Sequence, residues 1–315
     1  MAYTTGGTIE ASHYNGFVAS VNNLWSTGTG NRGLGQTAVS PSSRSAGDNV
    51  AAAEWADLLN KIRLLSDQYG QDGSITIDTV TNPTTGDTIS ALATLSADIG
   101  TLDAAQIAVV APAPGYATAV TDTAVVSGTF TNTITQTNTL TFASANAMRY
   151  FFNAGGRVYV SWNISGGTAD AKYNEWVDLA NSKCGTYYIY NTTSGKSGGS
   201  GSPSTNLTNA GFWDLTTGTS TMFKQLADTS PYTANYIQLQ ASLNAAAGSS
   251  TVMTLTSTWK DDAADQTSYN KNIYNVLDQV NGSKTTTFSY QASATTYISA
   301  SWGTPSWATT VNTES

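Results

Sequence analysis

The chain has 315 residues and a mass of 32.9 kDa, with a formal net charge of −8 and only 11% charged side chains, where a soluble domain usually carries about 25%. Its polarity comes from threonine, serine, asparagine and 28 glycines, and its 8 Trp and 16 Tyr within a 40% hydrophobic content suffice for a core and argue against disorder. A single cysteine, Cys184, and a single histidine, His13, exclude an intrachain disulfide, a cysteine-cluster or histidine-rich metal site, and any Ser-His or Cys-His mechanism that does not use His13.

The first hundred residues have helical periodicity. Tyr14, Phe17, Val18, Val21 and Leu24 fall on one face of a helix, and Trp55, Leu58, Leu59, Ile62 and Leu65 repeat that spacing. Asp48 is the predicted N-cap of the second helix and Gly70 its stop. The two segments align at a constant offset: Ile9 with Val50, Ala11 with Ala52, Tyr14 with Trp55, Phe17 with Leu58, Val21 with Ile62. A fainter third copy starts at Gly86-Asp87-Thr88-Ile89-Ser90-Ala91 and continues through Leu92, Leu95, Ile99 and Leu102, with Thr94 in place of the aromatic. This is an internal repeat of a small amphipathic unit that cannot bury its stripe alone. The first two copies are expected to pack as a hairpin-like pair, serving as a small core or as an assembly module toward other chains.

Beyond the turn cluster Ala111-Pro112-Ala113-Pro114-Gly115 the period changes to two. Strands are predicted at 131–142, with Ile134 and Leu140 on one parity, and at 157–162 after the Gly155-Gly156 turn. Further strands are predicted at 187–190, 234–241, 251–259, 285–290 and 295–302. One helix interrupts them, with Tyr173, Trp176, Val177 and Ala180 on a shared face before Cys184-Gly185. The stretch 194–205 is expected to be an exposed, mobile loop. The fold class expected is α+β, mostly β: a small N-terminal helical-repeat region over 1–110 that attaches or assembles, then an antiparallel β-sandwich of jelly-roll-like type over 111–315.

Few residues offer chemistry. Gly28-Thr29-Gly30-Asn31-Arg32-Gly33 matches G-x-G-x-x-G, but a helix precedes it and no helix follows, so it reads as a glycine-rich connection and not a dinucleotide site. Asp261, Asp262 and Asp265 could converge on a hard cation or form a solvated turn, and the turn is the expectation. Glu10, Glu54 and Glu175 lie on helices and pair with nothing recognisable as a glycosidase site. Cys184 reads as a small buried apolar group and His13 as a helix-surface or capping residue. Trp213, Tyr232, Tyr236, Trp302 and Trp307 are candidates for contact with carbohydrate or protein. No catalytic, cofactor-binding or metal residue is assigned. The acidic balance, with a pI near 4.4, argues against a nucleic-acid partner, and no apolar run is long enough to span a membrane. Met1 to Gly6 has neither a basic region nor an apolar run, so no signal peptide is expected.

The segment Met148-Arg149-Tyr150-Phe151-Phe152-Asn153-Ala154-Gly155-Gly156-Arg157-Val158-Tyr159-Val160 resembles one in tailed-bacteriophage virion proteins, in which an R-Y-F-F-N-x-G-G run precedes a strand. The resemblance continues at Asn174-Glu175-Trp176, at Gly211-Phe212-Trp213-Asp214-Leu215-Thr216-Thr217, at Phe223-Lys224-Gln225-Leu226 and at Tyr232-Thr233-Ala234-Asn235-Tyr236. Tyr14-Asn15-Gly16 through Trp25, with Gly28-Thr29-Gly30 and Gly33-Leu34-Gly35-Gln36, is similar to a start shared by phage structural proteins, many of them tail-fibre or appendage components. The resemblance implies a non-catalytic structural component of a tailed-phage virion, most simply a tail-fibre or tail-appendage subunit. It is expected to assemble in the host cytoplasm, to be exposed on the particle, and to contact itself as a homo-oligomer and other virion proteins. The alternatives are a collar, baseplate or capsid-decoration protein, or a tip module that contacts a host receptor or glycan. No enzyme activity and no cofactor are expected.

Overall fold

The computed structural model describes residues 11–85, 92–264, 267–269, 275–277 and 280–312. In chain order it runs α1 (Ala11–Trp25), α2 (Ala52–Tyr69), α3 (Leu92–Ala108), β1 (Val120–Ser127), β2 (Thr133–Thr141), α4 (Ala145–Asn153), β3 (Arg157–Ser165), α5 (Ala171–Val177), β4 (Thr186–Ile189), β5 (Ser194–Ser197), β6 (Thr205–Asn206), β7 (Ser220–Leu226), β8 (Tyr236–Leu243), β9 (Val252–Lys260), β10 (Thr267–Tyr269), β11 (Asn275–Leu277), β12 (Ser283–Gln291) and β13 (Ser306–Asn312). The fold is α+β with more strand than helix, the helices leading. Two compact units divide it, and both are discontinuous in sequence. One takes residues 1–118, 143–156 and 292–303; the other takes 119–142, 157–291 and 304–315. A contiguous division at 110/111 misses the two later segments that join the helical unit.

In the helical unit the predicted stripes are the core. Tyr14, Phe17, Val18, Val21 and Leu24 of α1 are buried, as are Trp55, Leu58, Leu59, Ile62 and Leu65 of α2. The Tyr14 and Trp55 rings meet edge to face at 5.6 Å, and Phe17 lies 6.3 Å from Trp55. The arrangement is larger than a pair, because α3 packs on both and buries Leu95, Ile99 and Leu102. Gly70 ends α2 in the left-handed region at φ 66°, as predicted. Asp48 is not the N-cap. Its carboxylate instead accepts the Ser45 N–H at 2.8 Å, and Ala51 caps α2 while Glu54 accepts the Ala51 N–H at 3.1 Å and pairs with Arg44. Ile9, Glu10 and the Gly86–Ala91 start of the third copy lie outside the described residues.

The other unit is a β-sandwich of two antiparallel sheets, ordered β1-β12-β3-β4-β5 and β13-β2-β9-β8-β7-β6, with β10 and β11 a separate hairpin. The late strand β12 inserts between β1 and β3, and β9 inserts between β2 and β8, which gives the jelly-roll-like crossing of distant segments. Alternation sets the inner faces: Val158, Val160, Trp162 and Ile164 of β3 face Ile237, Leu239, Met253, Leu255 and Trp259 of the second sheet. Trp162 stacks on Phe223 at 5.1 Å across the core.

One strand expectation and one loop expectation are corrected. Residues 295–302 form bends and a turn, and the final strand is β13. That stretch holds Ser299 and Ser301, whose polar groups are bonded to Gln36 within the helical unit. The glycine- and serine-rich stretch 194–205 is a largely exposed loop only over 198–204, and its ends are strand. Ser194–Ser197 pairs with β4, Lys196 Nζ donates to the Gly201 carbonyl, and Ser194 donates to Leu207 O at 2.8 Å.

Candidate functional site

The glycine-rich motif after α1 has its polar groups spent on structure. Gly28, Gly30 and Gly33 adopt positive φ, and a Cβ on Gly33 would lie 2.3 Å from the Thr27 carbonyl oxygen, so that position needs glycine. The loop N–H groups turn inward: Leu34 and Gly35 donate to Ser26 O, Gln36 to Trp25 O, Arg32 to Thr29 O, and Gly33 to Gln106 Oε1. A phosphate cradle needs such donors convergent on a ligand at a helix N-terminus, and these are bonded to the loop itself, to the end of α1 and to α3.

The loop carbonyls are gripped by α4. The Arg149 guanidinium donates to Thr27 O and to Gly30 O at 3.1 Å, the Tyr150 hydroxyl to Thr27 O at 3.4 Å, and Asn153 Nδ2 to Gly33 O at 3.0 Å. A second tier holds α4 in turn. The Tyr69 hydroxyl donates to Asn153 O, and Gln106 Nε2 donates to Tyr69 Oη at 2.7 Å and to Leu24 O at 3.1 Å. Burial pushes the Tyr69 hydroxyl well above its ordinary pKa, which keeps it a neutral donor.

The other sequence candidates also have structural roles. Cys184 is fully buried, and burial raises its thiol pKa far from thiolate reactivity. His13 lies half-buried on α1. The expected solvated turn at Asp261 is corrected, because Asp261 forms a buried ion pair with Lys172 at 2.7 Å. Asp262 is exposed, with its N–H bonded to Asn235 Oδ1, and Asp265 lies outside the described residues. Glu175 accepts the N–H groups of Asp228 and Thr229. Among the described residues Glu175, Asp178 and Asp228 bring carboxylate oxygens within 4.8 Å of one another. The Lys183 ammonium already sits on two of them, 2.7 Å from Asp178 and 2.8 Å from Asp228, and those two hydrogen bonds raise its pKa. Of the aromatic candidates, Tyr232 and Trp302 are core residues, while Trp213, Tyr236 and Trp307 are half-buried.

A further half-buried aromatic arrangement was not among those candidates. On the outward face of the five-stranded sheet, Tyr159 of β3 sits directly opposite Tyr188 of β4, with ring centroids 5.2 Å apart. Tyr188 and Tyr190 stack nearly parallel at 5.8 Å and 9°. The Arg157 guanidinium lies over this row, 4.9 Å from the Tyr188 ring and 5.6 Å from Tyr159. Its Nε and Nη2 donate to Gln291 Oε1 at 3.0 and 2.6 Å. Burial raises the Tyr190 hydroxyl pKa, and the hydrogen bond from Arg157 partly offsets the rise. The remaining outward positions of β1, β12, β3, β4 and β5 bear hydroxyl, amide, aliphatic or glycine residues and no carboxylate. The sequence signal was the parity: Tyr159 and Tyr188 occupy the polar register of strands whose other register is apolar, where a merely solvated face does not need aromatics.

The chain matches no protein-family model, no curated protein and no solved structure.

Proposed function

We propose that this chain is a non-catalytic structural subunit of a tailed-phage virion, most simply a tail-fibre or tail-appendage component that assembles with itself and with other virion proteins. The observation that carries this reading is the interlock in the helical unit. Two segments that resemble phage structural proteins, 27–36 and 148–153, are far apart in sequence, and they hydrogen-bond to each other through Arg149, Tyr150 and Asn153. The shared residues act as a fold-defining clamp, which suits a family signature that carries no chemistry. No described helix is long and apolar enough to cross a membrane. The test is location: antibody against this chain, applied to purified particles of its phage, should label the tail or its appendages in electron micrographs. Particles that lack the chain by both labelling and mass spectrometry would overturn the proposal.

The tyrosine row favours a second reading for the same subunit, contact with a host-surface glycan. Stacked aromatic faces beside an arginine and an amide match the apolar face and the hydroxyls of a sugar. Binding of the whole chain to host-envelope glycans should fall at least about tenfold in Tyr188→Ala or Arg157→Ala, a loss of about 1.4 kcal/mol. Equal binding by these variants and the parent would remove this reading and leave the structural one intact.

A further inference from the structure

The buried pair formed by Lys172 and Asp261 is placed for covalent chemistry. Both side chains are 1% exposed and their Nζ and Oδ2 atoms are 2.7 Å apart. Lys172 lies in the first turn of α5, and one turn on, on the same helix face, Trp176 packs against Phe130 at 5.3 Å and stacks on Trp259 at 5.8 Å. Asp261 follows Trp259 by two residues, so the pair borders an aromatic layer that excludes water. The backbone around Asp261 is pinned on both sides: its N–H donates to Asn132 O at 2.7 Å, and the next two N–H groups donate to the buried Asn235 Oδ1 at 2.9 and 2.8 Å. Asp170 caps α5 by accepting the Tyr173 N–H at 2.7 Å, which fixes the turn that carries Lys172.

We propose that Lys172 and Asp261 join in an intramolecular isopeptide bond. Two buried charges have lost their hydration, whereas an amide of the same atoms carries none. One proton passes from Nζ across the contact to Oδ2, giving a neutral amine and a neutral acid. Nζ then attacks Cγ, the Cγ–Oδ2 bond breaks, and the departing hydroxyl takes one N–H proton and leaves as water. The products are one amide and one water, and no oxidant or cofactor is consumed. Fixed proximity supplies the driving effect, since well-oriented intramolecular partners reach effective molarities of about 10⁵ M or more. The bond would tie α5 to the end of β9 in a chain whose lone cysteine cannot form an intrachain disulfide.

Intact mass of the purified full chain under denaturing conditions decides the matter. The expected mass is that of the sequence less one water, and a protease digest should yield a branched peptide joining Lys172 to Asp261. Lys172→Arg and Asp261→Ala should each recover the full mass of their sequence. An unmodified mass for the parent chain, with trypsin cutting after Lys172, would overturn the proposal even if neither variant folds. So would a water loss that persists in Asp261→Ala and maps elsewhere, for example to a succinimide at Asp72-Gly73.

Discussion

Trp55→Ala is expected to destabilise the helical unit by about 3–5 kcal/mol, the range for deleting a buried aromatic from a packed core. Trp55 is 1% exposed, and its ring is the surface on which Tyr14 and Phe17 of α1 pack. Alanine there removes the wall of α1 as well as a large side chain of α2. The neighbours cannot close the space easily, because α3 packs on both helices and the loop after α1 is fixed by Arg149 and Asn153. Denaturant unfolding of the full chain, followed by tryptophan fluorescence, should show the transition of the helical unit shifted and that of the sandwich little changed. A loss below about 1 kcal/mol would mean that Trp55 is not the centre of the repeat.

The repeat was legible because it is a local pattern. A stripe at helical spacing reports which face needs a partner whatever that partner is, and the predicted stripe residues of α1 and α2 are all buried. The third helix was faint because Thr94 replaces the aromatic, yet Leu95, Ile99 and Leu102 still sufficed to bury it. Strand register was legible for β3, β8 and β9, where one parity is apolar. It failed at 295–302, whose apolar residues serve a bend, and at 194–205, where pairing partners were found by glycine and serine, residues with little strand preference. Asp261 shows a different limit. An acidic run reads as solvated until a lysine 89 positions earlier is placed beside it by the fold. The tyrosine row is hidden in the sequence because Tyr159, Tyr188 and Tyr190 suit either face of a strand, and only the pairing of Tyr159 with Tyr188 sets them side by side. The clamp between 27–36 and 148–153 was visible as two separate motifs, and only the fold shows that one exists to hold the other.

Gln136→Leu should cost the sandwich about 3–5 kcal/mol, although it replaces a polar side chain in a core with an apolar one of similar size. Gln136 sits on the buried parity of β2 between Ile134 and Asn138, where alternation alone would place an aliphatic residue. Its Nε2 donates to Ala124 O at 2.8 Å and to Lys284 O at 3.0 Å, and its Oε1 accepts Trp259 Nε1 at 2.9 Å and the Thr286 hydroxyl. The Thr286 and Ser257 hydroxyls are hydrogen-bonded to each other at 3.0 Å, and Ser257 accepts Trp162 Nε1 at 2.8 Å, so one amide organises β1, β2, β3, β9 and β12 across both sheets. Leucine satisfies none of these groups, and each buried group left without its bond costs about 1–3 kcal/mol. Gln136→Glu separates shape from bonding. A carboxylate there would set a lone pair against the Ala124 and Lys284 carbonyls, so the folded state needs the acid protonated and its pKa rises above the unfolded value of about 4.3. The sign follows from linkage: the glutamate variant is most stable below that unfolded value, and its stability falls as pH rises through and beyond it. Denaturant midpoints for this variant should drop between pH 4 and pH 8 relative to the parent chain. A difference between the two chains that stays constant with pH would mean that Gln136 fills space and does not organise the core.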